Sequence, residues 1–152
     1  MKYFKYFLIL TTIIATASLL CNCQPQDGDE WKKLKFKITE NSNPDNISVH
    51  INSESQIEVF VGNEEGTLTL ESNYIFTIHD LFGNSSLHMD SDGRASSVDF
   101  TDGSDWYILK NDKDSPKIQI TFFKTDDNSP RETSYYMNGI YLTTATLKIY
   151  KN

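Results

Sequence analysis

Cysteine occurs only at positions 21 and 23 of this 152-residue chain. From Gln24 onward there is none, which excludes a disulfide framework, a thiolate zinc site and a thiol nucleophile from the body of the protein. A Cys21–Cys23 bridge would strain so tight a loop. Positive charge is also scarce: 14 Lys and Arg stand against 21 Asp and Glu, for a formal charge of −7. With no basic patch, the chain repels phosphate backbones and anionic headgroups, and nucleic acid is excluded as a partner. No Gly-x-Ser-x-Gly elbow is present, and no His-x-His or His-Glu-x-x-His spacing. Beyond residue 20 no apolar run approaches the roughly 20 residues of a membrane span. No later window sustains a 3.6-residue stripe, so no helix is expected after the leader.

The leader itself is distinctive. Met1-Lys-Tyr-Phe-Lys5 precedes an apolar run from Tyr6 to about Leu20, too short for a span but suited to the h-region of an export signal. Three fates compete for the cysteines. Cleavage after Ala17, set by Ala15-Thr-Ala17, keeps both; cleavage after Cys23 keeps neither; lipid attachment uses one. The lipid anchor is favoured, because Leu20 stands three residues before Cys23 as a lipobox requires, with Cys21 as the fallback attachment point. Residues 24–30, QPQDGDE, then read as a flexible acidic tether, and the segment resembles the leader of surface lipoproteins from Gram-negative gut bacteria. The expected organisation is a lipoprotein-type signal peptide over 1–22, an acidic tether over 23–33 and one domain over 34–152. The expected location is the outer membrane or cell surface, with secretion as the alternative. Loss of Lys2 and Lys5 with the leader takes the formal charge from −7 to −9.

Period-two alternation dominates the rest. Leu34, Phe36 and Ile38 alternate with lysines; Ile47, Val49 and Ile51 alternate with Ser48 and His50. The pattern continues through Ile57, Val59 and Val61, Leu68 and Leu70, Phe76 and Ile78, Leu87 and Met89, Val98 and Phe100, Ile118 to Phe122, and the closing run to Tyr150. Turn residues punctuate these runs about every ten positions. Short strands at this spacing predict an all-β chain, a single immunoglobulin-like β-sandwich after an N-terminal export signal. Trp106 is expected in its core beside Phe76, Ile78, Ile118 and Ile120. Asn138-Gly139 predicts a type I′ turn closing the terminal hairpin, with a longer loop to Thr143 as the competing register.

Chemistry-bearing residues are few. Asp90, Asp92, Asp99, Asp102 and Asp105 surround Gly93 and Gly103 and are candidate calcium ligands, since calcium takes six to eight oxygens from flexible loops; solvated Asp-Gly turns are the plainer reading. No other cofactor is expected. His50, His79 and His88 lie on the polar phase of their strands. Phe60, Tyr107, Phe123 and Tyr136 fall out of step with their strands' apolar sets and are candidate ligand contacts through aromatic faces. Sequons at Asn46 and Asn84 are as frequent as chance allows.

Glu65-Gly-Thr-Leu-Thr-Leu70, Ser72-Asn-Tyr74, Trp106, Lys117-Ile-Gln-Ile-Thr121, Arg131 and Ala145-Thr-Leu-Lys-Ile-Tyr150 fall in an order that resembles the BACON-type immunoglobulin-like domain (Bacteroidetes-associated, carbohydrate-binding, often N-terminal). The resemblance spans residues 57–152 with an insertion at 85–105. It departs from the family at the usual double glycine, here Glu65-Gly66, and at the closing Gln, replaced by Tyr150-Lys151. It implies a non-catalytic cell-surface module that contacts glycans or mucin-type ligands and meets the membrane only through its lipid. The alternatives are a structural or protein-interaction module of a surface complex, or a secreted effector-like β protein.

If Cys23 carries lipid, Cys23→Ser moves the protein from the membrane fraction to the soluble fraction. Retention in that variant, with release by Cys21→Ser, places the lipid on Cys21, and release by neither removes the anchor.

Overall fold

Alternating side chains become two facing sheets. The computed structural model describes residues 33–52, 55–139 and 143–152; Cys21, Cys23, the leader and the tether with Trp31 lie outside them. All regular elements among the described residues are strands. One sheet runs in the order β1 (Phe36–Asn41), β4 (Gly66–Ser72), β10 (Lys117–Phe122), β9 (Tyr107–Asn111), β8 (Phe100–Gly103). The second runs β2 (Ile47–Ile51), β3 (Gln56–Val61), β12 (Thr144–Lys151), β11 (Arg131–Gly139), β5 (Phe76–Asp80). A separate hairpin joins β6 (Leu87–Met89) to β7 (Ala95–Ser97).

The order β1-β4-β10-β9 reproduces strands A-B-E-D of the immunoglobulin-like fold, and β12-β11-β5 reproduces G-F-C. Neighbours pair antiparallel except β3 and β12, which run parallel with Ile57 beside Leu147 and Val59 beside Ile149. Inward residues of both sheets form one core. Leu68, Leu70, Leu109, Ile118 and Ile120 meet Ile57, Val59, Ile78, Leu147 and Ile149, all fully buried. Each such side chain stabilises the fold by about 1.5–3 kcal/mol relative to exposure. Phe36 and Phe76 close one end, edge to face across the sheets at 5.5 Å.

Trp106 is in the core, 5% exposed, but at the other end: its aromatic neighbours are Tyr107 at 4.6 Å and Phe122 at 6.5 Å. The apolar pair on β6 behaves differently from the sandwich strands. Because β6 pairs only with β7, Leu87 and Met89 have no facing sheet and stay exposed.

The terminal hairpin takes the longer loop. Asn138 pairs with Thr144 inside the ladder, the Gly139 N–H donates to the Thr143 carbonyl at 2.8 Å, and neither Asn138 nor Gly139 has a positive φ. Face registry explains why the tight turn loses. Paired residues share a face, and a two-residue turn at 138–139 would set Met137 against Ile140 and send Thr146, Lys148 and Tyr150 inward. The observed register pairs Met137 with Ala145 and Tyr135 with Leu147, which keeps the apolar set in the core.

Both sequon asparagines are tied into turns. The Asn46 amide donates to the Glu64 carbonyl at 2.7 Å, and the Asn84 amide donates to Asp80 at 2.5 Å. Ser86 of the second sequon is buried and accepts from the Ile78 N–H.

Trp106→Ala should destabilise the domain by about 3–5 kcal/mol, measured as a lower denaturation midpoint. A melt like that of wild type would mean the ring is not packed as described.

Candidate functional site

One end of the sandwich gathers the loops after β1, β3 and β10, the β8–β9 turn and the turn after β5. Register rows place them together: Phe122 lies beside both Gly66 and Tyr107, while Val61, Lys151 and Arg131 align in the second sheet. Two depressions open at this end, on either side of the β10–β11 loop.

The larger is a groove of about 730 Å³ lined by Ser42, Asn43, Glu64, Glu65, Gly66, Thr67, Thr121, Phe122 and Phe123. Ile118, Ile120 and Phe122 point inward along β10, so Phe123, one residue on, turns outward and leaves its ring 37% exposed. Apart from the two phenylalanines and a glycine, the lining is hydroxyl, amide and carboxylate. Asn43 is fixed by donating to the Glu65 carbonyl at 3.0 Å, and Glu64 pairs with Lys124 at 3.3 Å.

The smaller cleft, about 240 Å³, lies where β5, β8, β9 and β11 meet, with Phe82, Asp102, Ser104, Trp106, Glu132 and Ser134 among its walls. Its rim is a rigid turn. Asp80 accepts from the Phe82 and Asn84 N–H groups, each at 2.8 Å, and from the Asn84 amide, while Gly83 takes φ +93°. Burial alone would raise the Asp80 carboxyl, but the Asn84 side chain and these backbone donors outweigh it and hold it below its usual value. The result is a phenyl ring, Phe82, 92% exposed on a turn held by three hydrogen bonds to Asp80. Opposite, β8 and β9 join tightly at Gly103, where a Cβ would meet the Tyr107 carbonyl at 2.6 Å.

Two buried phenols lie behind the Asp102 of this cleft. Tyr135 of the second sheet donates to Asp102 Oδ2 at 2.5 Å, and the Tyr107 and Tyr135 hydroxyls lie 2.6 Å apart. Tyr107 also reaches Thr133 Oγ1 at 3.3 Å. Burial pushes both phenols above their usual range, so they act as donors at neutral pH. Asp102 Oδ1 and the Ser104 hydroxyl have no hydrogen-bond partner among the described residues and belong to the cleft lining, while Glu132 and Ser134, which also line it, stand in the outward phase of β11.

The loop between the depressions is clamped. Arg131 forms two charge-assisted bonds of 2.6 Å, to Asp105 Oδ1 and Asp127 Oδ2, and each raises its own basicity. Asp105 is held below the usual carboxylate range by Arg131, and Asp127 by Ser129 and then Arg131. Lys151, in the inward phase of β12 and buried, donates to the Asp127 carbonyl. The Thr125 N–H donates to the Asn63 carbonyl at 3.0 Å.

The residues expected from sequence are scattered across the molecule. Phe123 lines the groove. Tyr107 is a correction: it shares the inward phase of Leu109, lies buried against Trp106, and its hydroxyl is occupied by Tyr135 and Thr133, so its ring offers no exposed face. Phe60 and Tyr136 lie on the outer face of the second sheet. Phe60 stacks on Tyr150 at 5.0 Å, with His50 edge-on, and Tyr136 is 47% exposed beside His79 and Thr146.

The five aspartates are not brought together. Asp90 caps its own turn by accepting from the Asp92 and Arg94 N–H groups, Asp99 accepts from the Lys113 N–H, Asp102 binds Tyr135, and Asp105 binds Arg131. Among the described residues no three His, Cys, Asp or Glu side chains converge as metal ligands. His79 accepts from the Asn138 amide through Nε2 at 2.7 Å, which leaves Nδ1 to donate to Ser85 at 3.0 Å. Phe82 and Lys151 escaped the sequence reading. Phe82 sits in a turn without periodicity; Lys151 was signalled by its phase with Ala145, Leu147 and Ile149.

Fold and site together define a β-sandwich domain with ligand-sized depressions at one loop end. No protein-family model matches the chain, and neither a curated protein nor a solved structure is detectably similar to it.

Because folding holds Tyr107 and Tyr135 protonated while the unfolded chain releases those protons near pH 10, stability should fall as pH rises past about 10. Tyr135→Phe should flatten that fall in alkaline urea titrations and cost about 1–2 kcal/mol at neutral pH through the lost bond to Asp102.

Proposed function

We propose that this is a non-catalytic glycan-binding module, displayed outside the cell on a lipid anchor at Cys23, with its ligand in the Phe123 groove. One observation carries the reading: an outward phenyl ring stands in a polar groove of about 730 Å³, within the usual size range of ligand sites. A sugar presents an apolar C–H face for an aromatic ring and a rim of hydroxyls for polar groups. Phe123 offers the ring; Ser42, Asn43, Glu65, Thr67 and Thr121 offer the rim. The order of residues resembling BACON-type domains and the export leader support the same reading.

Geometry supports the display. The described chain enters at Lys33 and Leu34, beside Ser55, Thr143 and Thr144, at the end of the sandwich opposite the groove. A ligand at the groove is therefore met at the pole away from the chain's entry. A second reading, a protein-interaction module, draws on the exposed Leu87 and Met89 of the β6–β7 hairpin.

Phe123→Ala should weaken binding on a glycan array and in calorimetry at least about tenfold, or about 1.4 kcal/mol, with an unchanged melt. Glycan binding that survives this change removes the groove as the site. Glycan-negative wild type favours the protein partner.

A further inference from the structure

The groove and the cleft are not independent. The Phe123 N–H donates to the Trp106 carbonyl at 3.0 Å, and Phe122 pairs with Tyr107 in the ladder. Phe123 walls the groove and Trp106 walls the cleft, so the two depressions share one hydrogen-bonded rim. The groove includes Thr67 and Thr121 from the outward phase of the first sheet, and the cleft lies at the same end, along the edge where β8 and β9 of one sheet meet β5 and β11 of the other.

Each depression carries the same pair of features. Phe123 stands in the groove and Phe82 over the cleft, the latter on a turn that Asp80 holds at three points. A ring exposed to 92% on a hydrogen-bonded turn is poorly placed for the fold and well placed for an apolar ligand face. In the cleft lining, Asp102 Oδ1 is an acceptor and the Ser104 hydroxyl can donate or accept, with no partner among the described residues, and Glu132 and Ser134 of the outward phase of β11 stand at its margin. At about 240 Å³ the cleft has room for a single ring-sized group.

Charge narrows the ligand further. Neither lining contains Lys or Arg, while Glu64 and Glu65 line the groove and Asp80, Asp102 and Glu132 line the cleft. The nearest cations are already engaged, Lys124 with Glu64 and Arg131 with Asp105 and Asp127. A carboxylated or sulfated ligand would meet like charge at both depressions, and repulsion of this kind discriminates between ligands.

We infer that the ligand is an uncharged linear oligosaccharide that continues from the Phe123 groove past Trp106 into the Phe82 cleft, with Phe82 as a second stacking ring. The inference rests on the glycan reading given above. A chain engaging both depressions gains from the second contact as an intramolecular event, so affinity rises with length until both are filled.

The test uses neutral gluco-, manno- and N-acetyllactosamine-type oligosaccharides of increasing length, from the single sugar upward, with sialylated and sulfated counterparts of the last. Wild type should bind longer neutral chains more than about tenfold tighter than the single sugar (about 1.4 kcal/mol). Phe82→Ala should abolish that gain and leave short chains bound as in wild type, with an unchanged melt because the ring is exposed. Acidic counterparts should bind more weakly, by a margin that shrinks as salt is raised. If Phe82→Ala keeps the length dependence, or if acidic chains bind as well as neutral ones, the inference is overturned while the Phe123 site stands. Absence of binding to every sugar overturns the glycan reading and the inference with it.

Discussion

A buried phenol must find a partner for its hydroxyl, and in this domain that requirement ties the two sheets together. Tyr135 sits in the inward phase of β11, between core residues, and its hydroxyl extends to Tyr107 and Asp102 of the opposing sheet. Hydrophobic burial alone is indifferent to small slides of one sheet over another. A hydrogen bond to a carboxylate is not: it weakens steeply with distance and angle. The same contact fixes Asp102 at the foot of the Phe82 cleft, so the interaction that sets sheet against sheet also shapes the floor of the cleft.

The second constraint acts on the β10–β11 loop. Eight residues carry no regular structure there, yet Arg131 and Lys151 hold Asp127, and Asn63 holds Thr125. Arg131 begins β11 and Lys151 ends β12, adjacent in the ladder, so two neighbouring strands place two cations under one loop. Its aromatic lining is therefore set on strand ends and pinned turns, which is the arrangement a preformed binding surface needs.

Periodicity records which face a residue takes, and that much could be read directly. Ile57, Val59 and Val61, or Ile118 and Ile120, lie inward because alternation has one stable solution on a half-buried sheet. What periodicity omits is the partner. Asn138-Gly139 has the local chemistry of a tight turn, but the turn would have inverted β12, and the core phase of Ala145, Leu147 and Ile149 outweighs two residues of turn propensity. Tyr107 misled for a related reason: beside Trp106 it looked out of step, whereas Trp106 belongs to the turn and Tyr107 begins the strand. The aspartates between 90 and 105 cluster in sequence but serve separate partners: Asp90 its own turn, Asp99 the Lys113 N–H, Asp102 the Tyr135 hydroxyl and Asp105 the Arg131 guanidinium. Phe82 had no signal at all, because a turn has no period to violate.

The two ends of the sandwich differ in what they meet: the described chain enters at one, and the grooves lie at the other. Any pull exerted between the entry at Lys33 and a molecule held at Phe123 runs along the strands. Ladder bonds lie across that direction, so they are strained together and must fail as a group; a hairpin opened from its end would lose them singly. A load along the strands therefore meets a whole ladder, whereas one that peels an outer strand sideways meets it one bond at a time.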